Sequence, residues 1–192
     1  VLHSDWLTTG PMVQEFEKAF AGLVDTKEAV AVNNGTAALH TALFAAGIQP
    51  GDEVIVPTMT FAATANAVAF LGATPIFADS DAKTLLINPQ DVETKITEKT
   101  KAILAVDYAG QPCDYESLEQ IANKHDLLLL ADACHALGAT YNGKNVGSLA
   151  QMSTFSFHPV KPIATGEGGM ITTNDSDLAK RMRHFRNHCL ST

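Results

Sequence analysis

A single lysine, Lys161, stands between Pro159 and Pro162 and is followed by the turn Gly166-Glu167-Gly168-Gly169. Two prolines stiffen the backbone around it, which a solvated surface lysine does not need. A lysine held this way and desolvated becomes an amine nucleophile toward carbonyls; the ordinary alternative is a loop lysine in open water. Asp132 closes the apolar run Leu127-Leu128-Leu129-Leu130-Ala131. A carboxylate at the end of a buried strand is costly unless a cation or hydrogen-bond donors meet it. His135 lies three residues on and can face the same space, or serve as a packed structural histidine. The segment Asn34-Gly35-Thr36-Ala37 joins an apolar run to a helical stretch. N–H groups at a helix start attract phosphate, and glycine permits close approach to the backbone. Taken alone, the same segment is also an ordinary strand-to-helix turn.

Short apolar runs alternate with helical patterns along the chain. Helix expectations are a stripe of Val13, Phe16, Phe20 and Leu23 behind Pro11, then 37–46, 61–71, 89–96, 115–124 and 178–189. Strand expectations are 29–32, 54–56, 73–78, 102–106 and 127–131, followed by 139–142, 153–157 and 169–173 with no helix between them. The alternation predicts an α/β fold with a mostly parallel central sheet flanked by helices. Such sheets bind ligands at the carboxyl ends of their strands. The segments after Val32, Val56, Ala131 and Phe157 should therefore gather at one site.

The chain has 192 residues, about one domain at roughly 150 residues each. Its net charge of −8 suits no phosphate backbone, so nucleic acid is not an expected partner. The one basic stretch, from Lys180 through Arg181, Arg183 and His184 to Arg186, reads as the solvated face of a helix. Cys113, Cys134 and Cys189 are sparse and form no CxxC, fitting a reducing, cytoplasmic setting rather than a disulfide framework or a metal site. No apolar run approaches the ~18 residues of a membrane span. The start at Val1 is no signal peptide and lacks an initiator Met, and the end falls inside a predicted helix. Both point to a piece of something longer. Gly138 to Asn145 imitates a P-loop, but Asn145 replaces the metal-binding hydroxyl, and Tyr141-Asn142-Gly143-Lys144 reads as a hairpin turn. No G-x-S-x-G presents a nucleophilic serine, and no G-x-G-x-x-G follows the first strand, which speaks against a nicotinamide-dependent dehydrogenase.

Taken together, phosphate-binding amides at 35–37, a carboxylate, an aromatic (Phe61) and a lysine are what pyridoxal 5'-phosphate requires. The phosphate needs donors, the pyridine nitrogen a carboxylate, the ring an apolar face and the aldehyde an amine.

Four ordered motifs carry a resemblance: Asn34-Gly-Thr-Ala-Ala-Leu39, Pro50-Gly-Asp-Glu-Val-Ile-Val-Pro57, Ala131-Asp-Ala-Cys-His135, and Ser156-Phe-His-Pro-Val-Lys161 through Gly166-Glu-Gly-Gly169. The sequence resembles the DegT/DnrJ/EryC1/StrS sugar aminotransferases, which are fold-type I pyridoxal-phosphate enzymes. Ser4-Asp-Trp-Leu-Thr-Thr-Gly10, Tyr108-Ala-Gly-Gln-Pro-Cys113 and Phe157-His-Pro-Val-Lys161-Pro-Ile look closest to the pseudaminic-acid branch of that family. The resemblance implies that Lys161 bonds the cofactor aldehyde and later shuttles a proton, that Asp132 pairs with the pyridine nitrogen, and that His135 lies near the ring hydroxyl. It implies that Phe61 stacks on the ring, that Gly35, Thr36, Ala37 and Ser156 hold the phosphate, and that Asn34, Ser4, Asp5, Trp6 and Leu7 lie near the sugar nucleotide. The implied reaction moves an amino group from L-glutamate to C4 of a UDP-linked 4-keto-6-deoxy sugar in a homodimeric enzyme. Residues 1–192 would be the large cofactor-binding domain, with a smaller C-terminal domain missing. A relative in the family dehydrates sugars and carries His in place of the lysine, so Lys161 argues for transamination. A truncated fragment that binds cofactor without turnover is the remaining alternative, as is another sugar aminotransferase of the family.

Overall fold

The structure is a computed structural model that describes residues 5–6 and 9–190. Helix α1 (Pro11–Leu23) begins with proline at its first turn, where a missing N–H costs nothing. Then follow β1 (Glu28–Val32), α2 (Gly35–Ala45), β2 (Glu53–Pro57), α3 (Ala62–Phe70) and β3 (Thr74–Ala78). Next come α4 (Pro89–Thr94), β4 (Thr100–Val106), α5 (Tyr115–His125) and β5 (Leu128–Asp132). The chain continues through the short pair β6 (Thr140–Tyr141) and β7 (Lys144–Asn145), then β8 (Met152–Ser156), β9 (Gly169–Thr173) and α6 (Ser176–Arg186).

Seven strands form one sheet in the order β1-β9-β8-β5-β4-β2-β3. From β8 through β5, β4 and β2 to β3 every pairing is parallel. Only β9 runs against its neighbours β1 and β8, so β1 points the same way as the parallel strands. Six strands therefore end at one edge of the sheet. The alternation of side chains along β2, β4 and β5 sorts the core into two layers. Val54, Val56, Leu104 and Leu130 pack with α2, α3 and α6; Ile55, Ile103, Leu129 and Ala131 pack with α5. Helix α1 adds a third cluster, in which Phe20 sits edge-on to Phe155 and Phe157 with ring centres 5.0 and 5.6 Å away.

The outer edge of β1 is covered by side chains rather than by a strand. The Ala31 N–H donates to the Glu17 carboxylate of α1 at 2.8 Å. From α6, Arg183 donates to the Ala29 carbonyl at 3.1 Å and Arg186 to the Ala31 carbonyl at 3.0 Å. Arg186 also pairs with Glu17, and Arg183 with Glu28.

Two expectations need correction. The predicted strand over 139–142 shrinks to Thr140–Tyr141 and pairs only with β7, outside the main sheet. Its turn is the predicted one: Asn142 and Gly143 both take positive φ (49° and 77°), the conformation that joins such two-residue hairpins. The last helix begins earlier, because Asp175 caps it by accepting from the Asp177 and Leu178 N–H groups. It also stops at Arg186, since His188 and Cys189 turn left-handed. No helix among the described residues is long and apolar enough to cross a membrane.

Candidate active site

The carboxyl ends of β1, β2, β5 and β8 carry the predicted residues. Asp132 is the last residue of β5 and is nearly enclosed. Its Oδ2 accepts from the Thr64 hydroxyl at 2.8 Å, and its Oδ1 from the Cys134 N–H at 3.2 Å. Thr64, itself fully buried on α3, shares a 2.7 Å hydrogen bond with Thr60. These donors make a buried carboxylate tolerable. Phe61 begins the same helical turn and is 74% exposed, an aromatic face left open at the sheet edge that bears Asp132. Thr60 and Thr64 escaped the sequence reading; the available signal was two hydroxyls a helical turn apart beside a run of small apolar residues.

Gly35 opens α2 behind its cap Asn34, whose Oδ1 accepts from the Ala37 N–H at 2.8 Å. The cap engages Ala37 and leaves the amides of Gly35 and Thr36 ahead of the first intrahelical partner. A Cβ added to Gly35 would lie 2.8 Å from the Ser156 Cβ and 3.3 Å from the Cys134 Sγ. The start of α2, the end of β8 and the segment after β5 thus meet at one point that only glycine fits. Gly169 makes the same kind of approach, since a Cβ there would fall 2.3 Å from the Asn34 carbonyl oxygen.

Lys161 rides on a loop pinched at its neck. Phe157 donates to the Gly168 carbonyl at 2.8 Å, and the Thr165 N–H returns to Phe157 at 3.0 Å. Its own N–H donates to the His158 carbonyl at 2.9 Å. The side chain is half-buried rather than enclosed. It shares its space with His135 and Cys134. Burial holds the His135 imidazole below its ordinary pKa, the Lys161 charge adds to that, and Asp132 opposes it. Burial, with Asp132 next, pushes the Cys134 thiol well up. His135 Nδ1 accepts from the Ala109 N–H at 3.3 Å.

A second carboxylate, unnoticed in the sequence, lies beside the first. Asp107 follows β4, is fully buried, and donates its N–H to the Asp132 carbonyl at 3.0 Å. Its Oδ1 accepts from the Cys113 N–H and its Oδ2 from the Tyr115 hydroxyl, each at 2.9 Å. Burial raises its pKa to about 6 despite both donors.

Of the residues expected at the sugar nucleotide, Ser4 and Leu7 lie outside the described residues. Asp5 and Trp6 are exposed ahead of α1, with Trp6 against Gly10. A cleft of about 560 Å³ lies apart from all of these, lined by α1, β1 and α6, including Glu17, Glu28, Arg183 and Arg186. It borders the covered sheet edge and holds none of the predicted residues.

Known proteins share this fold. The chain is 51% identical to a GDP-perosamine synthase from Caulobacter vibrioides over 96% of its own length and 50% of that protein's. It superposes on PseC from Helicobacter pylori, an aminotransferase involved in the biosynthesis of pseudoaminic acid, with a TM-score of 0.94 at 40% identity, over all of this chain and 52% of that one. It superposes on the PLP-form of the sugar aminotransferase Spr1654 from Streptococcus pneumoniae with a TM-score of 0.92 at 37% identity, over 95% of this chain and 52% of that one. The chain spans about half the length of these relatives. Matched by the family's sequence profile across residues 1–192, it belongs to the DegT/DnrJ/EryC1/StrS aminotransferase family.

Proposed function

We propose that this chain is the cofactor-binding half of a pyridoxal-phosphate-dependent aminotransferase that aminates a keto sugar linked to a nucleotide. The convergence of Gly35, Ser156 and Cys134 beside Asp132 carries this reading, because it gathers donors for an anion next to a buried, hydrogen-bonded carboxylate. The residues fit the group. The Gly35 and Thr36 amides and the Ser156 hydroxyl suit its phosphate, with the Ala37 N–H already engaged by Asn34. Asp132 suits the pyridine nitrogen, His135 the ring hydroxyl, Phe61 one ring face and Lys161 the aldehyde. When bound, the cofactor supplies an electron sink for charge that develops at the carbon beside the transferred nitrogen.

The protein's own groups do the rest. Asp132, held by Thr64 and the Cys134 N–H, would present its carboxyl group to the ring nitrogen. Lys161 would hold the cofactor through its amine; once released, the same Nζ would carry a proton between the substrate carbon and the cofactor. Phe61 would cover the ring and keep water from that face. His135, with Nδ1 filled by Ala109, offers its Nε2–H.

The amino donor would be L-glutamate and the acceptor C4 of a UDP-linked 4-keto-6-deoxy sugar, as in UDP-4-amino-4,6-dideoxy-N-acetyl-β-L-altrosamine formation. The resemblance of 4–10 and 108–113 supports that, with Asn34, Asp5 and Trp6 near the nucleotide. The 51% identity to a GDP-perosamine synthase favours a GDP-linked sugar as the second reading. Two copies would complete each site, in the cytoplasm. Mixing the protein with pyridoxal phosphate should give a yellow, borohydride-trappable adduct on the peptide bearing Lys161. Lys161→Arg should lose adduct and turnover while keeping its circular-dichroism spectrum. Retained transamination in that variant would sink the assignment, and turnover with UDP- against GDP-linked 4-keto sugars decides the nucleotide.

A further inference from the structure

His135 is gripped by one short turn. Residues 108–110 form a single 3-10 turn in which Ala109 and Gly110 both take positive φ (54° and 88°). For Ala109 this left-handed backbone is disfavoured, so the surroundings must enforce it. Its N–H then points at His135 Nδ1. A Cβ on Gly110 would lie 3.0 Å from the His135 carbonyl oxygen, so the turn touches both ring and backbone. The Tyr108 ring stands edge-on to the imidazole, 6.2 Å between centres. What enforces the turn is Asp107. Its carbonyl accepts from the Gly110 N–H, and its carboxyl reaches across to the Cys113 N–H and the Tyr115 hydroxyl. The Cys113 thiol closes the ring of contacts on the Val106 carbonyl at 3.1 Å.

We propose that Asp107 is a positioning residue for His135: by clamping both ends of the 108–113 turn it keeps the Ala109 N–H on Nδ1 and fixes the imidazole as the tautomer that presents Nε2–H. The carboxyl does this without touching the imidazole. An Nδ1 that is already accepting a hydrogen bond has no lone pair for a proton, so the turn also holds His135 neutral. The groups facing His135 are Asp132 from β5, Lys161 from the β8–β9 loop, and the Tyr108 ring from the turn itself. The inference rests on the cofactor-site reading only for what His135 faces; the turn and its effect on the imidazole stand in the protein alone.

The test is nitrogen-15 NMR of the histidines in the intact protein without cofactor, with His135→Gln assigning the signal. Asp107→Ala should raise the His135 titration by roughly one pH unit, because Nδ1 regains its lone pair. Loss of a negative charge would by itself shift it downward, so the sign separates the two effects. Asp107→Asn, which keeps an oxygen for the Cys113 N–H and an amide for the Tyr115 hydroxyl, should lose the upward shift and titrate at or slightly below the wild-type value. If Asp107→Ala does not fold, Tyr115→Phe, which removes one of the two side-chain anchors, should show the same upward shift in smaller measure. In the wild type, the protection of the Ala109 amide from hydrogen exchange, taken relative to its intrinsic rate at each pH, should fall several-fold as pH falls through the His135 titration. An unchanged or lowered titration in folded Asp107→Ala, or in Tyr115→Phe standing in for it, or Ala109 protection indifferent to His135 protonation, overturns the proposal. Absence of a Lys161 adduct in the wild type would instead overturn the cofactor reading and leave these measurements standing.

Discussion

Asp107→Asn should make the protein progressively more stable than the wild type as pH rises from about 4 to about 6. Burial raises the folded carboxyl from its ordinary 3.8 to about 6. Between those values the unfolded chain releases a proton that the folded chain retains, so wild-type stability falls with pH. At ~1.4 kcal/mol per unit, a shift of about two units amounts to about 3 kcal/mol, complete above pH 6. Asparagine is neutral throughout and escapes this loss. It keeps the shape and the contacts to Cys113 and Tyr115, so any offset from altered hydrogen bonding is independent of pH. Urea denaturation followed by circular dichroism at pH 4, 5, 6 and 7 gives the gap between variant and wild type at each pH. The comparison cancels every other titrating group. A gap that stays constant within about 0.5 kcal/mol, or that closes as pH rises, would show that the two donors outweigh desolvation and that the reasoning about this carboxyl is wrong.

Thr64→Val should preserve shape while removing the donor to Asp132, costing about 1–3 kcal/mol in stability and weakening pyridoxal-phosphate binding; Thr64→Ser should recover much of both in the same titrations. Gly169→Ala must push β9 away from the Asn34 carbonyl, so it should lower the urea midpoint by the equivalent of roughly 2 kcal/mol or more and loosen the cap of α2. Glu17→Ala leaves the Ala31 N–H and the Arg186 guanidinium without their carboxylate, a loss of about 3 kcal/mol that calorimetry should register.

The strands announced themselves because buried parallel strands are continuous apolar runs, as in the four leucines before Ala131. Direction was not legible. Gly169–Thr173 has the same kind of composition as its neighbours, yet it runs against them. Thr140–Tyr141 looks like a strand for want of any signal that its partner is only its own hairpin. Lys161 and Asp132 stood out by their flanks. Asp107 follows Ile103-Leu104-Ala105-Val106 in the way that Asp132 follows its leucines, and the same rule applied there finds it. Thr64 carries no such mark, since its role depends on which helix face meets β5. Ala37 shows the reverse case: it stands at the start of α2 as the motif suggests, but its N–H serves the neighbouring Asn34 side chain.

The side chains covering β1 bear on how this molecule meets others. A sheet invites foreign strands at its two outer edges. At one of them α1 and α6 act as a counterfeit strand, supplying a carboxylate for the Ala31 N–H and guanidiniums for the Ala29 and Ala31 carbonyls. At the other edge, Pro75 leaves β3 without one of its donors. Extension of the sheet by a further strand is thus blocked at one end and impaired at the other. Because Phe185 of α6 stacks on Phe44 of α2 at 4.0 Å, the helix that seals the edge also braces the one whose first amides face the site. Displacing α6 would unseal the edge and disturb the start of α2 in a single movement.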